Sequence, residues 1–121
     1  MEHPKFQGKT LIVGGGIGGL ALALFLKNAG ISSTVYEAFP YKDGVGGGLN
    51  LAPNGMKVLA ALGLAEKTMA CGSGALEICF RNERGRVLAR FRNGSVEKYR
   101  QPAASLTRSA LYEVLKDEMN A

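Results

Sequence analysis

The stretch Thr10 to Glu37, TLIVGGGIGGLALALFLKNAGISSTVYE, narrows what this chain can fold into more than any other. Leu11-Ile12-Val13 is an apolar run of strand length, and it breaks into glycine at Gly14, Gly15, Gly16, Gly18 and Gly19. An apolar segment from Ile17 to Leu26 follows, then Asn28-Ala29-Gly30, then a β-rich run, Thr34-Val35-Tyr36, that ends on Glu37. That order predicts a buried strand at 9–14, a tight turn, a helix over 17–29 and a second strand at 32–37. It is one βαβ unit, and a βαβ unit implies an α/β fold built on parallel strands.

Within the turn, Gly14-x-Gly16-x-x-Gly19 fits the dinucleotide fingerprint. Gly14 can take backbone angles closed to other residues, so the chain can leave the strand sharply. Gly16 has no side chain to hold a pyrophosphate away, and Gly19 lets the helix pack closely on the strand. The N–H groups and positive dipole end at the helix start then face the phosphates, with Ile17 and Gly18 in its first turn. Glu37 lies 18 residues past Gly19, where the second strand should end beside a ribose. A carboxylate there accepts hydrogen bonds from ribose hydroxyls and repels a 2′-phosphate. The fingerprint and Glu37 serve NAD and FAD equally well.

Charge bears on the competing classes. The net charge of +5 sits within residues 81–100, where Arg81, Arg84, Arg86, Arg90, Arg92, Lys98 and Arg100 face only Glu83 and Glu97. Elsewhere basic and acidic residues cancel, so a nucleic-acid reading rests on one segment. In that segment Arg86, Arg90 and Arg92 alternate with Val87, Ala89 and Phe91, as the wet face of a sheet would. No nucleic-acid partner is expected. Cys71 and Cys79 match no metal or redox spacing and read as reduced thiols of a cytoplasmic protein. The uncharged run 11–26 is too short and too glycine-punctured for a membrane span. Nothing near the amino terminus reads as a targeting signal. His3, the single histidine, receives no role.

Further along, 38–48 reads as a loop, Leu49–Leu51 as a short strand, and Pro53 as the first position of a helix closed by Leu62-Gly63. Leu64 to Met69 reads as a second short helix. Residues 75–92 alternate about the turn Asn82-Glu83-Arg84-Gly85, a hairpin pattern, and a further short strand is expected near 96–100. The last helix runs from a possible N-cap at Thr107 to about Met119, with Leu111, Val114, Leu115 and Met119 on its apolar face.

Three pieces of the chain resemble one family, the FAD-dependent aromatic-ring hydroxylases, or single-component flavoprotein monooxygenases. They are LIVGGGIGGLALALFLKNAGISSTVYE, GGGLNLAPNGMKVLAALGL and LTRSALYEVL. The second is the most discriminating: a glycine-rich strand, Gly46 to Leu51, runs into a Pro53-Asn54 helix start. It favours FAD over NAD. The third is similar to that family's Arg-x-x-Leu helix, whose arginine reaches the flavin. The resemblance therefore implies FAD contacts at Gly14, Gly16, Ile17, Gly18, Gly19, Glu37 and Ala38, with Gly47, Gly48 and Arg108 toward the flavin. Ala38 stands where many relatives carry an arginine, so one adenine-side contact is expected to be missing.

The resemblance covers almost all of this chain but about a third of such an enzyme. It implies a Rossmann-like FAD-binding βαβ unit with an inserted hairpin, incomplete relative to the family fold. Residues 9–70 and 104–121 would form the FAD-binding part and 75–101 a β-rich segment of the substrate domain. It further implies NAD(P)H as reductant, O2 as oxygen donor and a small aromatic or polyketide-like substrate. Catalytic side chains and metal ligands are not expected among these residues, because the cofactor carries the chemistry. The first strand would keep an open edge, suited to a complementary fragment or to self-association. The rival classes are an autonomous NAD- or FAD-binding module without catalysis and, less favoured, a nucleic-acid or acidic-ligand binding module using the arginine-rich face.

Overall fold

The computed structural model describes residues 8–39 and 46–121. They fall into two compact units, 8–39 with 112–121 and 46–111. Most of the loop expected at 38–48 lies outside the described residues.

In the first unit, β1 (Thr10–Val13) and β2 (Ser33–Tyr36) pair in parallel, with Thr10 opposite Ser33 and Val13 opposite Tyr36. The helix α1 (Ile17–Asn28) joins them, as a parallel pair requires a crossover. Gly30, at φ 72°, ends α1: its N–H donates to the Lys27 carbonyl and that of Ile31 to the Leu26 carbonyl, at 3.0 and 2.8 Å. Ile12, Leu20, Ala23 and Leu24 are buried. Each large apolar side chain so buried contributes about 1.5–3 kcal/mol.

Two features depart from a fully covered βαβ unit. The apolar sequence of α1 predicts a helix buried all round, yet Leu22 and Phe25 are 49% and 39% exposed. Among the described residues β1 has β2 as its sole strand partner, and Leu11 and Val13 are 56% and 90% exposed. One face of α1 and the Leu11–Val13 face of β1 thus carry exposed apolar surface, and among the described residues β1 also keeps one edge without a strand partner.

In the second unit, β3 (Gly48–Leu51) and the two-residue β4 (Ser73–Gly74) flank β7 (Ala104–Thr107), both antiparallel to it. Between β3 and β4 run α2 (Pro53–Ala61) and α3 (Ala65–Ala70). Pro53 opens α2 as expected, and Leu62-Gly63 closes it. Met56, Leu59, Leu62, Leu64, Ala103, Ala104, Leu106 and Leu111 form this unit's core. Thr68 is the one buried polar residue among those described, and its hydroxyl donates to the Leu64 carbonyl at 2.8 Å. A buried hydroxyl so paired avoids the penalty of an unmet donor.

The hairpin forms as its alternation predicts, from β5 (Glu77–Arg81) and β6 (Val87–Arg92). Asn82 Oδ1 shapes the turn, accepting the N–H groups of Arg84 and Arg86 at 3.1 and 2.9 Å. Cross-strand pairing puts Ile78, Phe80, Ala89 and Phe91 on one face, where the Phe80 and Phe91 rings meet edge-on at 6.1 Å. Glu77, Cys79, Arg90 and Arg92 take the other, with Arg90 and Glu77 paired at 3.3 Å. Both faces are open, Phe80 and Phe91 being more than half exposed.

The strand expected near 96–100 is instead a short helix, α4 (Val96–Tyr99). Ser95 decides it, since its Oγ accepts the Lys98 N–H at 3.3 Å and caps the turn. Arg100 ends α4 in the left-handed region, at φ 63° and ψ 4°. The final helix, α5 (Arg108–Asn120), starts where expected. Thr107 is both the last residue of β7 and the cap of α5, its Oγ1 accepting the Ala110 N–H at 3.1 Å.

Candidate cofactor site

The glycine turn between β1 and α1 is built by main-chain geometry. Gly14 sits at φ 105°, which L side chains rarely adopt, and its N–H donates to the Tyr36 carbonyl at 2.7 Å. That bond extends the β1–β2 ladder by one residue before the chain turns away. Gly16 is the N-cap of α1 in an extended conformation, with no side chain capping the helix and no acid in its first turn. A helix start of this kind presents N–H donors and a positive dipole end to an anion. A Cβ on Gly19 would fall on the Gly14 carbonyl oxygen, so glycine at 19 permits the close approach of α1 to β1. Gly18, by contrast, is exposed and has open space where its Cβ would be. Ile17 is half-buried beside it.

Glu37, directly after β2, reaches back to this turn. Its Oε2 accepts the Gly15 N–H at 2.8 Å and its Oε1 accepts the Phe39 N–H at 2.9 Å. These bonds, Phe39 first and then Gly15, hold the carboxyl below its ordinary value of 4.5, so it stays ionised. Ala38 is exposed between the two. Gly15 and Phe39 were not candidates from the sequence. The triple glycine was a signal for Gly15, because a Cβ there would stand 3.1 Å from the Glu37 Cβ.

In the second unit, Gly47, Gly48 and Arg108 are neighbours. Gly48 lies opposite Thr107 in the β3–β7 pairing, and the Arg108 N–H donates to the Gly47 carbonyl at 3.0 Å. Gly46, the first glycine of the same loop, also reaches this junction. At φ 117° it lies against Arg108, whose Cβ would be 3.2 Å from a Cβ at position 46. The Arg108 side chain itself is exposed.

Of the ten sequence candidates, seven cluster in one unit at the glycine turn and the end of β2, and three in the other around the start of α5. Among the described residues no group of His, Cys, Asp and Glu is arranged to hold a metal, and no helix is long and apolar enough to cross a membrane.

Residues 7–117 match the model of an FAD binding domain family. The chain is 39% identical over 110 residues to 3-amino-4-hydroxybenzoate 2-monooxygenase PtnB3 of Streptomyces platensis, covering 88% of this chain and 28% of that protein. It is 37% identical over 76 residues to an FAD-dependent urate hydroxylase of Klebsiella pneumoniae, covering 63% of this chain and 20% of that one. The crystal structure of Klebsiella pneumoniae HpxO complexed with FAD and uric acid superposes with a TM-score of 0.79 at 28% identity, over 98% of this chain and 31% of that one. p-Nitrophenol 4-monooxygenase PnpA of Pseudomonas putida shares the fold, at a TM-score of 0.80 and 19% identity, over 94% of this chain and 30% of its own. The chain thus spans under a third of these proteins' lengths. It belongs to the FAD binding domain family.

Proposed function

We propose that Gly14, Gly16, Ile17, Gly18 and Gly19 hold the pyrophosphate of FAD and that Glu37 and Ala38 flank its adenosine ribose. The Glu37–Gly15 hydrogen bond carries this reading, because it ties the ribose-binding candidate to the turn that would take the phosphates. The residues suit the group: Gly16 offers no side chain to obstruct it, and each carboxylate oxygen of Glu37 has acceptor capacity beyond its one backbone bond. Family membership supports a flavin-side role for Gly47, Gly48 and Arg108, with 75–101 belonging to a substrate domain.

In a longer protein of this kind the reaction is hydroxylation of a small aromatic or polyketide-like molecule. FAD, reduced by NAD(P)H, supplies the redox chemistry with O2. The residues of this chain bind and orient. Backbone N–H groups at the start of α1 neutralise phosphate charge, and Glu37 selects a ribose without a 2′-phosphate. The open edge of β1 would take a strand from a complementary segment or a second copy, and the 121 residues alone would turn over little or no substrate.

Calorimetric titration of FAD into the parent chain and Gly16→Val tests the site. A bulky side chain at 16 should abolish binding. Equal affinity in the two proteins would overturn the assignment.

A further inference from the structure

We propose that Glu37 is a positioning residue for the glycine turn itself, clamping Gly15 and Phe39 so that the turn has its nucleotide-ready shape before any ligand arrives. The inference rests on the reading of this turn as the phosphate site but assigns Glu37 a task apart from ribose recognition.

Three observations carry it. Both carboxylate oxygens are engaged by main-chain donors, Oε2 by Gly15 and Oε1 by Phe39, at 2.8 and 2.9 Å. These bonds tie the turn before a ligand is present, and the oxygens' remaining acceptor capacity stays available to a ribose. Gly15 is buried and lies directly between Gly14 and Gly16, so the bond acts at the centre of the fingerprint. Glu37 also fits closely against Gly15: a Cβ there would meet the Glu37 Cβ at 3.1 Å and its Cγ and Oε2 at 3.5 Å. The middle glycine, which the fingerprint leaves unspecified, is explained by the room this carboxylate arm occupies.

The clamp addresses a physical difficulty. A run of three glycines samples many backbone conformations, and ordering it on binding carries an entropic cost at each residue. Tying its centre to the end of β2 meets part of that cost during folding, and preorganisation of this sort raises affinity without a new ligand contact. Charge-assisted bonds to backbone N–H groups suit the task.

The test compares Glu37→Gln and Glu37→Ala with the parent 121-residue chain, first without ligand. A glutamine has one side-chain oxygen, so Glu37→Gln should release one of the Gly15 and Phe39 amides and keep the other. Glu37→Ala should release both, with exchange faster on the order of tenfold, as loss of a hydrogen bond to a charged group implies. General loosening of the fold would instead speed exchange in α1 and β2 alike. The second readout is binding of inorganic pyrophosphate, which has no ribose, followed by amide shifts at Gly14–Gly19. The clamp predicts weaker pyrophosphate binding in Glu37→Ala; a ribose-only role predicts no change. Gly15→Val, which keeps the carboxylate but crowds it, should behave like Glu37→Ala. Unchanged Gly15 and Phe39 protection in Glu37→Ala would overturn the clamp. If the parent itself bound neither pyrophosphate nor FAD, the phosphate-site reading would fail, while ligand-free exchange would still decide the clamp.

Discussion

Gly18 and Gly19 are adjacent in α1 and chemically identical, yet replacing each by alanine should move stability in opposite directions. At Gly19 the new methyl falls on the Gly14 carbonyl oxygen, with the Gly14 carbonyl carbon 3.1 Å away and Ile12 Cγ2 at 3.4 Å. Two of these atoms are main chain and cannot rotate aside, so α1 must lift from β1. Overpacking typically costs 1–3 kcal/mol, and a backbone obstruction belongs at the top, about 3 kcal/mol. Alanine's better helix propensity returns about 1 kcal/mol, leaving a loss of about 2 kcal/mol. For a chain of this size that lowers the midpoint of thermal unfolding by about 8 °C. At Gly18 the methyl meets nothing within 4 Å. Only the propensity gain remains, worth up to about 1 kcal/mol and a rise of up to about 4 °C. Far-UV circular dichroism melts give the midpoints, and hydrogen exchange of the α1 amides reports the first unit separately. Gly19→Ala melting within two degrees or so of the parent, or both variants shifting the same way, would refute this account of α1 packing on β1.

Arg100 holds a left-handed conformation that costs a side-chain-bearing residue about 1–2 kcal/mol. Arg100→Gly should therefore raise the thermal midpoint, by about 1 kcal/mol in stability terms; a fall would show that the side chain matters more than the backbone. Glu37 has a folded pKa below its ordinary value of 4.5, so its contribution is complete above 4.5 and lost as pH falls below that through the folded value. Protection of the Gly15 and Phe39 amides should hold from neutral pH to 4.5 and drop beneath it; loss already above 4.5 would contradict the bonding. The edge of β1 should make the chain self-associate with rising concentration, and Val13→Lys, at a site 90% exposed, should reduce this. A parent that stays monomeric in sedimentation, with slowly exchanging amides at 10–13, would mean that the edge is closed.

The parts legible in the sequence were those written as local pattern. Gly30 and Gly63 end their helices because glycine takes the left-handed cap conformation at little steric cost. Asn82 and Gly85 make their turn for similarly local reasons. Short, weakly patterned elements were not legible. The two-residue β4 exists through its pairing with β7, and Ala104–Thr107 is too short for its alternation to stand out. The helix α4 hinged on one serine hydroxyl, and residues 96–100 offered an equally plausible strand pattern. At the site, spacing placed Glu37 near the turn, but the bond to Gly15 joins residues 22 apart and appears only when β1 and β2 are paired. The exposure of Leu22 and Phe25 on α1 was not legible, since an apolar sequence records which surface needs cover, not which surface has it.

The junction of β7 and α5 has one further consequence. The main chain at position 108 is fixed from both sides: its N–H is bound to the Gly47 carbonyl, and the preceding threonine is tied to the first turn of α5. None of these bonds uses the Arg108 side chain, which is exposed beyond its contact with Gly46. Position 108 is thus a socket, where the group presented can be exchanged while its point of attachment stays in place. A spectroscopic reporter fitted at 108 would report on its surroundings rather than on a displaced backbone.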